Sequence, residues 1–409
     1  MKATASQDPF VAELLRADLG LKPRLLRIKF QRMSANPFAF FRGADPLFAK
    51  AWPELKPPDV GPAILICGDL HLENFGAYRT ETGDFRFGLN DFDEALVAPC
   101  SLDVVRCTAS ILLASEQWRL TPTQATGMAL AFLDSYRESV RDPEPGEVAP
   151  ESGQGAVWDL LADTAVGLQI ALLDRVTLRN RSGKRTIRSA VNHPKIGRER
   201  AKIVRQAIDD YLAQRSPEHT FRVLDLSGRV AGVGSLGVRR YLALVGDGKN
   251  SDVDCLLDVK ECNAPALLSC STFPQPNDED DAHRVISAQE QLQGTVAAGL
   301  GTLVIGKRSY RVREMIPDEH RASLDRLRHR PDLLRDAVWI AGRLTAWSQL
   351  RGAKILGQDH TPELLRWSAG PSLDAVLASA ARVADRTNHD FAKFQLALSA
   401  GGLGTQAAR

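Results

Sequence analysis

The sequence predicts an α+β protein in which a small antiparallel sheet is set into a larger, mostly helical chain. Three observations carry this. Residues 156–213 and 330–352, and again 372–398, show helical periodicity. Between 221 and 260 the period drops to that of strands, with β-branched runs parted by Gly- and Asp-rich turns. After a helix at 282–295, TLVIG and YRVREM read as a second strand pair. Apolar residues make up 44% of the 409 and charged residues 25%, a balance that excludes wholesale disorder and a collagen-like repeat.

Taken in order, residues 8–35 read as mixed helix and stop at Asn36-Pro37, a predicted break. PFAFFRG (37–43) holds three Phe and one Arg, and Pro57-Pro58 closes this first part, 1–60. AILIC (63–67) suits a buried strand, and two short runs, 75–79 and 85–89, read as a hairpin around TETGD. Residues 101–117 are a helix. Another starts at Thr121-Pro122-Thr123-Gln124, where Thr caps, Pro takes the first helical position and Gln completes a capping box. The Pro/Gly-rich stretch 142–155 is a connection, and a break near Arg181-Ser182-Gly183 interrupts the helical reading of 156–213. The expected organisation is 61–215 as helical part with two polar loops, 216–318 as sheet part, and 319–409 as a closing helical part. On the last long helix but one, Ala337, Ile340, Leu344 and Trp347 share a face.

Four segments can carry chemistry. Gly68-Asp69-Leu70-His71-Leu72-Glu73-Asn74-Phe75-Gly76 leaves a predicted strand, where loops place reactive groups. Asp69 can orient and deprotonate a hydroxyl, Asn74 can offer oxygen to Mg²⁺, and His71 can stabilise the loop. Asn90-Asp91-Phe92-Asp93-Glu94 places three acids in four positions at a strand exit, a pattern suited to a hard cation. Gly232-Val233-Gly234-Ser235-Leu236-Gly237 is followed by strand-like VRRYLALV rather than a helix, so it reads as a glycine flap over phosphates and not as a dinucleotide fingerprint. Lys260, in the next strand, is placed to pair with α- and β-phosphates. A helix carboxylate should face that lysine, and Glu290 is the candidate, with Gln289 and Gln293 competing for the inward face. The strand from Tyr310 to Met315, with Arg313, is expected to enter a hinge whose backbone holds adenine.

Through GDLHLENFG, NDFDEA, PFAFFRGAD, GVGSLGVRRY, VKE and RVREM the chain resembles a bacterial family, domain of unknown function 2252. Through the same motifs it is similar to the aminoglycoside phosphotransferase branch of the protein-kinase-like superfamily. The resemblance implies a bilobal kinase-like fold and a set of roles. Asp69 matches the catalytic-loop aspartate, and Asp103 matches the residue that braces that loop from the next helix. Asn74 and Asp91 match the metal ligands, with Asp93 as a second acid. Gly232, Gly234 and Gly237 match the phosphate loop, and Lys260 the nucleotide lysine. One departure stands out. The catalytic and metal loops precede the glycine loop here, so the implied fold is circularly permuted, with the helix near 330–352 packed before the catalytic loop in space.

The formal net charge is +2 (52 basic against 50 acidic residues), so no global field points to nucleic acid. Between positions 175 and 205, however, eleven Lys or Arg face one acid, Glu199. These read either as a solvated face or as a basic wall for an anionic substrate. Arg42 is a further candidate for phosphate contact. Six Cys without C-x2-C spacing predict reduced thiols and no zinc knuckle. No apolar run is long enough to span a membrane, and MKATASQDPF lacks a secretory core, so a cytoplasmic location is expected. The functional expectation is Mg²⁺- and ATP-dependent phosphoryl transfer to a small-molecule acceptor, or less readily a protein. A regulatory nucleotide-binding pseudokinase and a nucleotidyl transferase are the alternatives. A two-metal phosphoesterase would need further histidines, and only eight occur.

Overall fold

Five strands collected from the second half of the chain form one antiparallel sheet. Its spatial order is Gly301–Ile305, Arg308–Glu314, Cys255–Glu261, Arg240–Gly246, Arg222–Gly228. The computed structural model describes residues 9–16, 23–142, 144–149, 155, 157, 168–181, 183–215, 221–234, 236–251, 253–315, 327 and 329–400. Over these residues the protein is a mixed α/β structure with twelve α-helices and small antiparallel sheets. Ser235 lies outside the described residues, as do most of 150–167 and the 401–409 tail.

Strand alternation gives the five-stranded sheet two unlike faces. One presents Tyr241, Ala243, Val245, Leu257, Val259, Tyr310 and Val312 to the helix Arg198–Arg215, through its buried Val204 and Ile208. The other begins as apolar at one end, where Leu242, Leu244 and Leu256 meet Leu172, Leu173 and Val176 of the helix Leu168–Val176. It becomes charged at the other end, where Arg240, Asp258, Lys260, Arg311 and Arg313 are all buried.

The larger apolar core belongs to helices Ser101–Gln117, Pro122–Arg141, Pro331–Gly352 and Ser372–Ser399 together with the short strands Ala63–Ile66 and Leu96–Pro99. The predicted capping box holds: Gln124 N–H donates to Thr121 Oγ1 at 3.3 Å and Thr121 N–H to Gln124 Oε1 at 2.9 Å. The helix Pro331–Gly352 buries Ala337, Ile340 and Leu344, as its period requires. Its last turn presses on the strand that leads into the 68–76 loop: a Cβ on Gly352 would sit 2.1 Å from the Leu65 carbonyl oxygen. The hairpin Phe75–Arg79/Phe85–Leu89 forms as expected.

The break at Asn36-Pro37 holds: the helix Pro23–Met33 ends before it and Pro37–Gly43 starts on it, with Asn36 Oδ1 accepting from Ala39 N–H at 2.8 Å and Pro37 in the first turn. The break expected near residues 181–183 also holds, and it is wider than a loop. A hairpin of Thr177–Arg179 and Arg185–Ile187 interrupts residues 168–215, because β-branched Thr177, Thr186 and Ile187 flank a turn closed by Asn180 N–H to Lys184 O at 2.9 Å. Among the described residues no helix is long and apolar enough to cross a membrane.

Replacing Gly352 by Val should separate the helix from Leu65 and cost about 1–3 kcal/mol. A urea melt should show a lower midpoint at unchanged m-value; a midpoint equal to wild type would disprove this contact.

Candidate functional site

The 68–76 loop is fixed first. Asp103, in the first turn of Ser101–Gln117, accepts the backbone N–H of Cys67 at 2.8 Å and of Gly68 at 2.9 Å on its two carboxylate oxygens. Burial pushes the Asp103 carboxyl up to about 7, while these backbone donors pull the other way. Asn74 closes the loop from its far end. Its side-chain Nδ2 donates to the Asp69 carbonyl at 2.7 Å, which commits the amide nitrogen and leaves the amide oxygen to face the cavity. His71 caps the short Leu72–Asn74 turn, with Nδ1 accepting from Glu73 N–H at 3.2 Å.

Asp69 is held by Arg106. The guanidinium Nε donates to Asp69 Oδ1 at 2.7 Å and Nη2 bonds the same oxygen, so Oδ2 is the oxygen left toward the cavity. Arg106 Nη2 also pairs with Asp45 at 2.9 Å, and the guanidinium lies between the rings of Phe41 (4.4 Å) and Phe48 (4.5 Å). Burial raises the Asp69 carboxyl to about 7 against the pull of Arg106; Asp45 and Asp91 add to the rise. Two of the three Phe of PFAFFRG thus serve the site as packing, Phe41 on Arg106 and Phe38 beneath Arg42 at 5.6 Å. Arg42 itself lines the cavity and pairs with Glu73 at 2.5 Å.

The sheet supplies the opposite wall. Lys260 Nζ bonds Asp93 and stands 3.9 Å from Asp91, and Arg311 lies 3.7 Å from Asp93 and 4.0 Å from Asp91. Burial lowers the Lys260 ammonium to about 8, against the attraction of Asp91. Arg240 is held by Asp258 at 2.6 and 2.5 Å in a two-pronged pair. Burial works to raise the Asp258 carboxyl, but the guanidiniums of Arg240 and Arg229 overwhelm it and hold the group well below the usual carboxylate range.

The glycine turn joins the strands Arg222–Gly228 and Arg240–Gly246. Gly232 (φ +78°) and Gly237 (φ +112°) take backbone conformations that L side chains avoid. Val233 at its tip enters an apolar cluster with Phe30, Phe40, Phe391 and Phe394, and Arg32 donates to the Gly232 carbonyl at 2.5 Å.

Asp69, His71, Asn74, Asp91, Asp93, Arg42, Gly232, Gly234, Gly237 and Lys260 line one cavity of about 530 Å³. Asp103 acts from behind the loop. Three expected members are elsewhere. Glu290 is exposed, because Val285, Ala288, Gln289 and Leu292 take the buried face of the helix Asp281–Gln293; Lys260 finds its carboxylate on the 90–94 loop instead. Gln293 reaches inward to accept from Gln289 Nε2 at 3.0 Å and to donate to Leu89 O at 2.8 Å. Arg313 donates to Asn90 O at 2.7 Å rather than lining the cavity. Met315 packs with Leu242 and Leu256.

None of the described residues of the basic stretch 175–205 lines the cavity. Several members are tied to structure: Arg185 to Asp174 at 2.6 Å, Arg188 to Thr177 O at 2.8 Å, and Arg200 to the hydroxyls of Tyr241 and Tyr310 at 2.8 and 3.2 Å. The cations missed in the sequence are Arg240, Arg311 and Arg106. The usable signal was charge at buried-face positions of otherwise apolar strands, as in YRVRE.

The family described as "Uncharacterized protein conserved in bacteria (DUF2252)" matches residues 21–397, a span that takes in both polar loops, the glycine turn and Lys260. The chain belongs to this family. No curated protein and no solved structure matches it. In this DUF2252 chain, among the described residues, no three His, Cys, Asp or Glu side chains form a metal cage. The hard oxygens of Asn74, Asp91 and Asp93 instead suit a cation that takes most of its ligands from phosphate and water.

Removing the Arg106 guanidinium takes away the cation bonded to Asp69 and paired with Asp45, and leaves Asp45 only the attraction of Lys29. Arg106→Leu should cost about 3–5 kcal/mol. Pairing it with Asp45→Leu should recover part of the loss in a denaturant melt; equal loss in both variants would refute the pairing.

Proposed function

We propose that the protein is an ATP-dependent phosphotransferase that uses Mg²⁺ to move a phosphoryl group to a hydroxyl of a small molecule. The observation that carries this reading is the meeting of Lys260 with Asp93 and Asp91 across a cavity that the glycine turn and the Asp69 loop both line. Lys260 and Asp93 lie 167 residues apart in the chain. The fold in this reading is bilobal and kinase-like with a permuted order, and the contact of Gly352 with the strand before the Asp69 loop supports it. The family match, which names no activity, is compatible with it.

Phosphoryl transfer asks mainly for positioning and charge neutralisation. Lys260 and Arg311 supply positive charge to the phosphates from the sheet. Asn74, Asp91 and Asp93 would hold Mg²⁺, which when bound neutralises phosphate oxygens. Asp69, anchored through Oδ1 by Arg106, presents Oδ2 to the acceptor hydroxyl and takes its proton. Asp103 positions the loop through two backbone N–H groups. One observation favours a second reading, a pseudokinase that binds nucleotide without transfer: the Lys260 ammonium is already paired with Asp93. Label from the α-phosphate appearing on protein would instead indicate nucleotidyl transfer.

With γ-labelled ATP and a metabolite pool, Asp69→Asn should lower transfer about 10²–10⁴-fold while MgATP still binds. Asp91→Ala should lose the Mg²⁺ dependence of binding. Turnover equal to wild type in both variants would reject the assignment.

The pH profile of kcat/KM should be bell-shaped. Activity rises through about 7 as Asp69 loses its proton and becomes a base, then falls past about 8 as Lys260 loses its charge. Lys260→Arg should remove the alkaline limb, since guanidinium does not titrate in this range; a profile that keeps that limb would argue against Lys260 as its source.

A further inference from the structure

We propose that the chain pairs with a second copy of itself through the open edge of the five-stranded sheet, the strand Gly301–Ile305 of one copy running antiparallel to the same strand of the other about a two-fold axis. The inference uses no residue that lines the cavity and is independent of the phosphotransferase reading.

Its first support is the edge itself. Gly301–Ile305 stands at the end of the sheet order and pairs, among the described residues, with Arg308–Glu314. A tight turn of Gly306 (φ +70°) and Lys307 joins the two strands, and in such a hairpin the residues flanking the turn exchange both backbone bonds. Bonding then alternates. Ile305, Leu303 and Gly301 turn their N–H and C=O inward, and Val304 and Thr302 turn theirs out. The neighbouring strand agrees: Ser309, opposite Val304, gives its carbonyl to Cys262 N–H on its other side at 3.0 Å. Thr302 and Val304 therefore each offer a donor and an acceptor to an incoming strand, and the Val304 side chain is 56% exposed beside them. Open edges of this kind are templates for another strand.

The second support identifies that strand as the chain's own. A groove of about 670 Å³ runs between the edge and the helix Arg198–Arg215, whose Glu199, Lys202, Ile203, Gln206 and Asp210 line it. Spacings of three and four place them along one helix face, where Ile203 is 51% exposed. Helix and strand run in opposite directions. The Tyr211 hydroxyl donates to Gly299 O at 3.1 Å, Arg215 donates to Leu300 O at 2.8 Å, and a Cβ on Gly301 would lie 2.7 Å from the Tyr211 ring. From Gly301 to Leu303 is about 7 Å of strand, the length of about four to five helical residues. Leu303 thus lies level with Gln206 and Ala207. A two-fold axis at Leu303 sets Thr302 against Val304 of the second copy, and Val304 against its Thr302, which closes the outward backbone groups of both strands. The same axis brings Lys202 and Ile203 level with Asp210 and Tyr211 of the second copy. A cation meets an acid and an exposed isoleucine meets a ring, twice over. The residues at the axis, Gln206 and Ala207, are neutral, so no charge faces its own image. This face is self-complementary in charge, as a two-fold contact requires.

Sedimentation velocity on the full chain from about 1 to 100 µM tests the pairing. The wild type should sediment as a dimer at the upper end of that range. Val304→Pro removes an outward N–H that the hairpin does not use. It should weaken association about tenfold or more and keep the fold in a thermal melt. Asp210→Lys sets Lys202 against a like charge and should weaken association about tenfold. Adding Lys202→Asp to it should restore the dimer, which a merely structural role for either residue would not do. A wild type that stays monomeric at the highest concentration would overturn the proposal. So would a dimer that Val304→Pro and the charge reversals leave intact, because its interface would lie elsewhere. Slow amide exchange at Thr302 and Val304 at every concentration would assign the edge to a segment of the same chain, and would overturn it as well.

Discussion

Arg106 is wholly buried, and a guanidinium out of water is tolerated only where carboxylates and ring faces replace its hydration. Asp69, Asp45, Phe41 and Phe48 do so here. These groups come from the loop after the first strand and the N-terminal helices Pro37–Gly43 and Asp45–Leu55, and Arg106 itself from the helix Ser101–Gln117. One side chain therefore sets the N-terminal segment, the orientation of Asp69 and the first turns of a core helix at once. Asp103, one turn earlier on the same helix, holds the backbone of the same loop. The floor of the cavity is thus a product of the helical core rather than of the loop itself.

The sheet contributes by grading one face from apolar to ionic. Along the strand Cys255–Glu261 the same face carries Leu256, Asp258 and Lys260 in turn. Leucine anchors the strand on a helix, aspartate fixes Arg240, and lysine crosses to the 90–94 loop. The burial that lowers the Lys260 ammonium is the same burial that packs the strand.

Much of this was legible in the sequence where local chemistry decides the outcome. Strand alternation, the Thr121–Gln124 box and the strand–turn–strand form of 222–246 all follow from near neighbours. The polar loops could be picked out because acids and amides crowd there. Glu290 was not legible as an exposed residue, since the inward face of its helix was taken by Gln289 and Gln293, which hydrogen-bond each other and Leu89 O. Nor could the basic run 175–205 be resolved, because composition does not distinguish an arginine stapling Asp174 from one facing a ligand. Arg106 and Arg311 owe their importance to partners 37 or more than 200 residues away, and no local pattern encodes such distances.

The tip of the glycine turn is not a free flap. Val233 is embedded among Phe30, Phe40, Phe391 and Phe394, side chains from near both ends of the described chain. Lifting the turn would drag that aromatic knot with it and expose its rings to water. Breathing at the mouth is thereby geared to the docking of the N-terminal helices on the C-terminal one, so the clasp that closes the chain's two ends also governs how wide the roof can gape.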